Sequence, residues 1–332
     1  MLNMKRILVT GATGQIGSEL IPALRNRYGQ ENVIASGHTI EPDRELLEGG
    51  PFCSLDVRDS GSVEKIVKEY RINTIYHLAA LLSAAAEKDP QLAWDVNING
   101  LKTILETART FHCSVFFPSS IGAFGPSTPP DDTPQDTIQR PATLYGITKL
   151  TGELLCDYYY HRFGVDTRGL RFPGLISYKT MPRGGTTDYA VEINYAAVRG
   201  KGYECFLKEG TRLDMMYMPD AIRAAIDLMK ADSKRLIHRN AFNVTAMSLA
   251  PEEIYAEIKK YIPDFIMTYR VDPVRQAIAD SWPHHMDDSA ARREWGWRHE
   301  YNLAAMTREM IERLSERFEK DKGDRYVSKT VR

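Results

Sequence analysis

The sequence predicts an α/β fold: a doubly wound parallel sheet followed by a smaller C-terminal lobe. Three observations carry this expectation. Short apolar runs in the first half lack the alternation of half-exposed strands, as befits strands covered on both faces. Each run is followed by a helical pattern, and repeated strand–helix units with right-handed crossovers give a doubly wound sheet. A glycine-rich turn lies between the first run and the first helix. A chain of 332 residues is long enough for one large domain plus a second lobe.

In chain order, residues 6–10 (RILVT) read as the first buried strand, and 16–28 as a helix on the spacing of Ile16, Leu20 and Leu24. Residues 32–36 and 52–55 read as the second and third strands. Residues 74–78 and 114–118 follow, each after a helical stretch, and 166–171 gives a further strand. Beyond about residue 172, prolines and glycines punctuate 173–185. Helices are expected near 189–198, 220–230 and 251–261, a short strand near 204–207, and a terminal helix over 303–319. The division is therefore a dinucleotide-binding domain over 1–172, a lobe mainly over 173–320 with some segments returning to the first domain, and a frayed, charged tail over 321–332.

Composition narrows the function. The net charge of −1 and the lack of a basic stripe argue against nucleic acid as a partner. No run of about 18 apolar residues exists to span a membrane. Residues 1–6 lead at once into a strand, which leaves no room for a leader peptide. Cys53, Cys113, Cys156 and Cys205 form no CxxC pair and offer no metal-ligand spacing, so buried thiols in a reducing cytoplasm, with no metal, are expected.

Gly11-Ala-Thr-Gly14-Gln15-Ile16-Gly17 joins the first strand to the first helix. Gly11 permits the turn, Gly14 lets backbone approach a pyrophosphate, and Gly17 lets helix pack on strand. The helix N-terminus, at Gln15 and Ile16, then offers free N–H groups and a positive dipole end. In this strand–turn–helix context the motif is the dinucleotide fingerprint of a Rossmann fold. An acidic residue is expected about 20 positions on, to hold the adenosine ribose. Gly37 stands there instead, with His38 next, which could stack or hydrogen-bond at the ribose, and no arginine immediately after it. Asp56 can accept from an adenine amino group while Val57 lines the ring. Asp59 or Ser60 is the better cap for the following helix. Leu78, Ala79 and Ala80 end the fourth strand with residues that let backbone run close to a cofactor, and His77 reads as a packed core histidine.

Tyr145 and Lys149 share a helix face, four residues apart. An ammonium beside a phenol favours phenolate, which makes tyrosine a general base for an alcohol proton. Spacing alone means little among 17 tyrosines, and Tyr255 with Lys259 has the same spacing. Tyr145 differs because Ser119 and Ser120 close a strand 25 residues upstream, at the sheet edge where ligands sit.

These segments (GATGQIG, HLAA, Ser119 to Gly125 and Tyr145-x-x-x-Lys149) together resemble the extended short-chain dehydrogenases and sugar-nucleotide epimerases. Arg171 to Ser177, Gly184-Gly-Thr-Thr-Asp-Tyr-Ala190, Met215 to Asp220 and Ala279 to Pro283 are similar to the L-threonine dehydrogenase subgroup of that family. The resemblance covers residues 4–318. It implies NAD as cofactor, with Tyr145 as proton acceptor, Lys149 as its partner also reaching the nicotinamide ribose, and Ser120 polarising the reacting hydroxyl. Ser83, Ser119, Thr186, Thr187 and Trp282 would line an amino-acid pocket. Asn97 would help position the lysine region, and Pro173 and Leu175 would sit by the nicotinamide. Phe172 replaces a tyrosine frequent in the subgroup.

The reaction implied is oxidation of the C3 hydroxyl of L-threonine to 2-amino-3-ketobutyrate, carried out by a homodimer paired through helices near 92–111 and 144–163. Leu154, Leu155, Tyr158 and Tyr159 would supply the apolar face of that pairing. A sugar-nucleotide 4-epimerase or dehydratase is the alternative, for which Lys179, Arg183, Arg199 and Lys201 offer charges for a diphosphate. A non-catalytic dinucleotide sensor is a third reading, but it has no use for Tyr145, Lys149 and Ser120 together.

Overall fold

The computed structural model describes residues 4–182 and 184–330, with side-chain surroundings through Lys320. Residues 1–3, Arg183 and residues 331–332 of the expected tail lie outside the described residues.

Strand and helix alternate through the first half: β1 (Ile7–Thr10), α1 (Gln15–Tyr28), β2 (Val33–Gly37), α2 (Arg44–Glu48), β3 (Phe52–Ser54), α3 (Ser60–Glu69) and β4 (Thr74–His77). Next come α4 (Ser83–Lys88), α5 (Pro90–Trp94), a π-helical turn at Asp95–Asn99, and α6 (Gly100–Phe111). Then follow β5 (Ser114–Ser120), α7 (Leu144–Phe163) and β6 (Thr167–Phe172). Local chemistry sets the helix starts: the carboxylates of Asp43, Asp59 and Asp89 accept backbone N–H groups at the N-termini of α2, α3 and α5, and the Thr143 hydroxyl does so for α7. Gly164, in the left-handed region at φ 70°, ends α7.

The second half holds β7 (Gly174–Ile176), α8 (Tyr189–Val198), β8 (Tyr203–Cys205), β9 (Leu213–Tyr217), α9 (Met218–Lys230), β10 (Phe242–Asn243) and β11 (Met247–Leu249). It closes with α10 (Pro251–Lys259), β12 (Met267–Tyr269), α11 (Pro273–Ala279), α12 (Ser289–Trp295) and α13 (Leu303–Thr330), whose backbone continues through part of the segment expected to fray.

Seven parallel strands form the central sheet in the order β10-β6-β5-β4-β1-β2-β3. The order reverses between β1 and β4, which opens a crevice at the carboxyl ends of those strands. One face is covered by α1 and α9, whose Leu20, Leu24, Ile222 and Ile226 join Val9, Phe116 and Leu170 in a common core. The other face is covered by α3, α6 and α7. A third apolar cluster fills the smaller lobe around α8, α10 and α13.

That lobe contains a second sheet, β11-β9-β7, and the pair β12-β8. Sequence pattern foresees only β8 there. The strand Leu213–Tyr217 escapes notice because Asp214 interrupts it. Asp214 is fully buried, accepts hydrogen bonds from Thr245 and from the Met286 amide, and is pushed up by burial to about 7. Of the apolar residues expected on one outer face of α7, only Leu154 and Tyr158 are exposed. Leu155 packs inward, and Tyr159 is buried with its hydroxyl bonded to Glu106, because these two lie on the side facing α6.

Helix α7 sits so close to β5 that a Cβ at Gly152 would lie 2.3 Å from the Phe117 ring. Gly152→Val should therefore lower the stability to chemical denaturation by about 1–3 kcal/mol, the usual scale of overpacking. An unchanged denaturation midpoint would show that α7 has room to shift.

Candidate active site

The glycine turn is built for close approach. Gly11 has φ 68°, and a Cβ there would come within 2.7 Å of the Ala79 amide nitrogen. A Cβ at Gly17 would be 2.5 Å from the Ala12 carbonyl oxygen. Gly14 begins α1 with no side chain capping the helix, so its first N–H groups are left for a ligand. A cavity of about 440 Å³ opens over this end. Gly11, Gly14, Gln15, Ile16, Gly17, Leu78 and Ala80 line one side of it. Ser83, Ser119, Ser120, Tyr145, Lys149, Pro173, Leu175, Thr186, Thr187 and Trp282 line the other. A cradle that a single Cβ would fill, at a helix N-terminus, fits a dinucleotide pyrophosphate.

Five residues expected at the cofactor do not line the cavity. Ala79 takes part through its backbone, beside Gly11. Val57 is buried against Gly100 of α6. His38 is exposed, 3.9 Å from Asp56, and the cavity reaches its neighbours Thr39 and Ile40 instead. Asp56 is held by Arg58 at 2.6 Å, which keeps its carboxyl near 2 and occupies acceptor oxygens expected to face adenine. Asn97 does not line the cavity: it bonds both polar backbone atoms of Leu81 and the Thr148 hydroxyl on α7, beside Lys149.

Gly37 ends β2 with backbone outside the left-handed region, and a Cβ there would meet Thr13 and Phe52 at 3.4 Å. Two arginines that follow it in sequence are already paired: Arg44 with Glu48, and Arg58 with Asp56.

Tyr145 lies in the first turn of α7. Its ring packs on the turn after β5, where a Cβ at Gly122 would be 3.3 Å away. The Ser120 hydroxyl bonds Tyr145 and favours the phenolate, but burial outweighs it and raises the phenol above its ordinary range. The expectation that Lys149 lowers Tyr145 is thus corrected for the protein alone. The Lys149 ammonium donates to the Pro118 carbonyl at 2.7 Å and lies 5.5 Å from the Tyr145 ring centroid. Burial pulls Lys149 down to about 8, opposed by Glu153. Tyr255, the comparison tyrosine, bonds the Phe265 carbonyl and packs in the small lobe away from the cavity. His77 is buried, shares a hydrogen with Thr10, and is held neutral by burial at about 3.

The register that sets Ser119 beside Arg171 and Ser120 beside Phe172 fixes the floor. Ser119 borders the cavity, but its hydroxyl donates to Glu153, which also pairs with Arg171 at 2.8 Å. Phe172 is buried along the wall. Thr187 packs against Gly174, and Thr186 is buried at the rim. Trp282 lines the cavity and also belongs to the small-lobe core.

Sequence reasoning missed Asp188. Its carboxylate accepts the Gly184 and Gly185 amides at 2.8 and 2.5 Å, lines the cavity, and is pushed up by burial to about 6. It follows Thr186-Thr187 directly, which was the available signal. Among the described residues lining the cavity, Asp188 is the one carboxylate and Lys149 the one cation. Arg199 stacks on Phe318, and Lys179 and Lys201 do not line the cavity.

The model of the NAD dependent epimerase/dehydratase family matches residues 7–245. A Staphylococcus haemolyticus protein described as an uncharacterized epimerase/dehydratase is 54% identical over 95% of this chain and 99% of its own. The structure of L-threonine dehydrogenase from Clostridium difficile is 57% identical, covers 95% of this chain and 99% of that one, and superposes with a TM-score of 0.93. The holo form of a GalE-like L-threonine dehydrogenase from Cupriavidus necator is 49% identical over 93% of this chain and 99% of that one, with a TM-score of 0.90.

A carboxylate at position 37 would accept from both ribose hydroxyls and repel a 2′-phosphate. Charged acceptors contribute about 1.5–3 kcal/mol per hydrogen bond. Gly37→Asp should therefore tighten NAD roughly tenfold, ~1.4 kcal/mol, and suppress any NADP binding, as read by titration calorimetry. Unchanged NAD affinity in a folded variant would mean that another group already holds the ribose.

Proposed function

Since this chain belongs to the NAD-dependent epimerase/dehydratase family, we propose that it oxidises the C3 hydroxyl of L-threonine to 2-amino-3-ketobutyrate with NAD. The observation that carries this reading is the charge inventory of the cavity. A zwitterionic amino acid needs a counter-charge for its ammonium and donors for its carboxylate. Asp188 supplies the first, and the Ser83, Thr186 and Thr187 hydroxyls supply the second. A nucleotide-sugar diphosphate needs several cations, and the described lining has only Lys149.

NAD, when bound here, would supply the acceptor for the hydride from C3. The glycine cradle at the N-terminus of α1 would hold its pyrophosphate, and Pro173 and Leu175 would face its nicotinamide end. Asp188 and the threonine hydroxyls fix the substrate so that its C3 oxygen lies between Ser120 and Tyr145. Ser120 donates to that oxygen and orients it. Tyr145, as phenolate, takes the hydroxyl proton while the C3–O bond becomes a carbonyl. Lys149 holds positive charge beneath the phenolate from its anchor on the Pro118 carbonyl. Trp282 covers the pocket and limits water. Most of the barrier reduction on this account comes from orientation and placed charge.

The same reading takes the protein to be a homodimer. Leu92 and Trp94 on α5 and Ile147, Leu154, Tyr158 and Phe163 on α7 leave an apolar stripe exposed on one side of the sheet. A second copy placing α5–α7 against its own would bury it. Sedimentation at micromolar concentration should give the dimer mass, and a monomer there would end this part of the proposal.

Three outcomes test the chemistry. Cofactor reduction should appear with L-threonine and not with nucleotide sugars. Tyr145→Phe should lose about 100-fold or more in kcat, the scale of general base catalysis, with NAD binding retained, while Tyr255→Phe should be unchanged. Equal behaviour of the two variants would make the catalytic assignment wrong. The pH dependence has two limbs. Tyr145 works deprotonated and its pKa is raised, so kcat/KM should climb with pH above neutrality. Asp188 pairs the ammonium only when charged and sits at about 6, so KM for threonine should rise as pH falls below that value. Asp188→Asn should raise KM and abolish the acid limb. A limb that survives this substitution would contradict the role.

A further inference from the structure

Segment 177–188 carries the residues assigned above to the substrate, and its first turn is bonded to the helix that forms the cofactor cradle. Three side chains on successive positions of one face of α1 make these bonds. The Gln15 amide donates to the Thr180 carbonyl at 3.4 Å, Thr180 and Ser18 share a hydroxyl–hydroxyl bond of 3.0 Å, and the Ser177 hydroxyl donates to the Glu19 carboxylate. Ser177 is fully buried and its oxygen also accepts the Lys179 amide at 3.1 Å, so the turn closes around the Glu19 contact. From the opposite side Arg317 of α13 donates to the Tyr178 and Lys179 carbonyls, and the Tyr195 hydroxyl donates to Tyr178. Thr180 and Met181 then enter the cavity wall.

We propose that Glu19 is a positioning residue that couples the two halves of the site: it fixes the 177–188 segment to α1, so that occupation of the glycine cradle orders the substrate-binding segment. The mechanics follow from the geometry. Gln15 belongs to the cradle and is also a member of the latch. A ligand on the N-terminus of α1 immobilises that first turn, and Gln15, Ser18 and Glu19 pass the restraint to Thr180 and Ser177. A first ligand that holds 177–188 in the arrangement presenting Thr186, Thr187 and Asp188 spares the second ligand the cost of ordering it. Glu19 carries most of this because its partner is fully buried and cannot exchange the contact for water. The alternative route, from a ligand directly onto Pro173 and Leu175 at the base of β7, bypasses α1, and the test separates the two. The proposal rests on the threonine reading only for the substrate used in its kinetic arm.

The decisive measurement is hydrogen exchange of the full-length protein with and without NAD, comparing the wild type, Glu19→Ala and Glu19→Gln. In the wild type, NAD should slow exchange both in 11–17 and in 177–188. In Glu19→Ala the slowing over 11–17 should persist while that over 177–188 is lost. Glu19→Gln retains an oxygen to accept from Ser177 and should behave as wild type. In parallel, Glu19→Ala should raise KM for L-threonine about five- to tenfold, with kcat and NAD affinity close to wild type and the thermal midpoint lowered, because the buried Ser177 hydroxyl loses its acceptor. NAD protection of 177–188 that survives Glu19→Ala would overturn the proposal in favour of the direct route. A Glu19→Gln variant as impaired as Glu19→Ala would also overturn it. If no variant turns over threonine, the substrate reading has failed, while the exchange data still decide the latch.

Discussion

Everything in this molecule depends on a sheet buried on both faces. With α1 and α9 on one side and α3, α6 and α7 on the other, strands β1, β2 and β4 are fully buried. Polar chemistry is then confined to the strand ends, because an unpaired polar group inside the layers is costly. The reversal of strand order between β1 and β4 decides which end opens into a crevice, and the glycine turn, HLAA, Ser119-Ser120 and the start of α7 all converge there. The backbone after β4, at Ala79, runs so close to Gly11 that a Cβ at Gly11 would come within 2.7 Å of the Ala79 amide.

Beneath the cavity lies a buried polar floor. Glu153 is one turn beyond Lys149 on α7 and receives Ser119, Arg171 and Gln139. A buried ion pair is weak evidence for stability by itself, but one whose remaining hydrogen-bonding capacity is filled holds its neighbours in a single arrangement. Here it locks the ends of β5 and β6 to the helix that carries Tyr145 and Lys149. The lysine, drawn down to about 8 by burial and anchored on the Pro118 carbonyl, is thereby held under the tyrosine instead of sweeping through solvent.

The first half of the fold was legible because its signals are local. Apolar runs, the Asp59 cap and the glycine spacing each act over a few residues. The second half was less so. Strand β7 is three residues long and starts one residue after Pro173. Strand β9 contains a buried aspartate that a sequence pattern reads as an interruption, and only the distant Thr245 and Met286 explain it. The site shows the same split. Tyr145, Lys149 and Ser120 follow from spacing and strand-end position, whereas the turning of Asn97 toward Leu81 depends on contacts across the sequence. The capture of Asp56 by Arg58, two residues on, is local, but the sequence does not say that this pairing takes the acceptor oxygens. Asp188 adjoins two residues that were singled out, yet its importance comes from being the only carboxylate among the described residues of the cavity wall. That is a property of the assembled site and not of the segment.

The central claim is that hydride leaves C3 of threonine while Tyr145 takes the hydroxyl proton. The most direct measurement uses L-threonine deuterated at C3, with NAD, followed by mass analysis of both products. The account predicts one deuterium in the reduced cofactor for each 2-amino-3-ketobutyrate formed. Threonine left unchanged, together with conversion of a nucleotide sugar without net cofactor reduction, would contradict it.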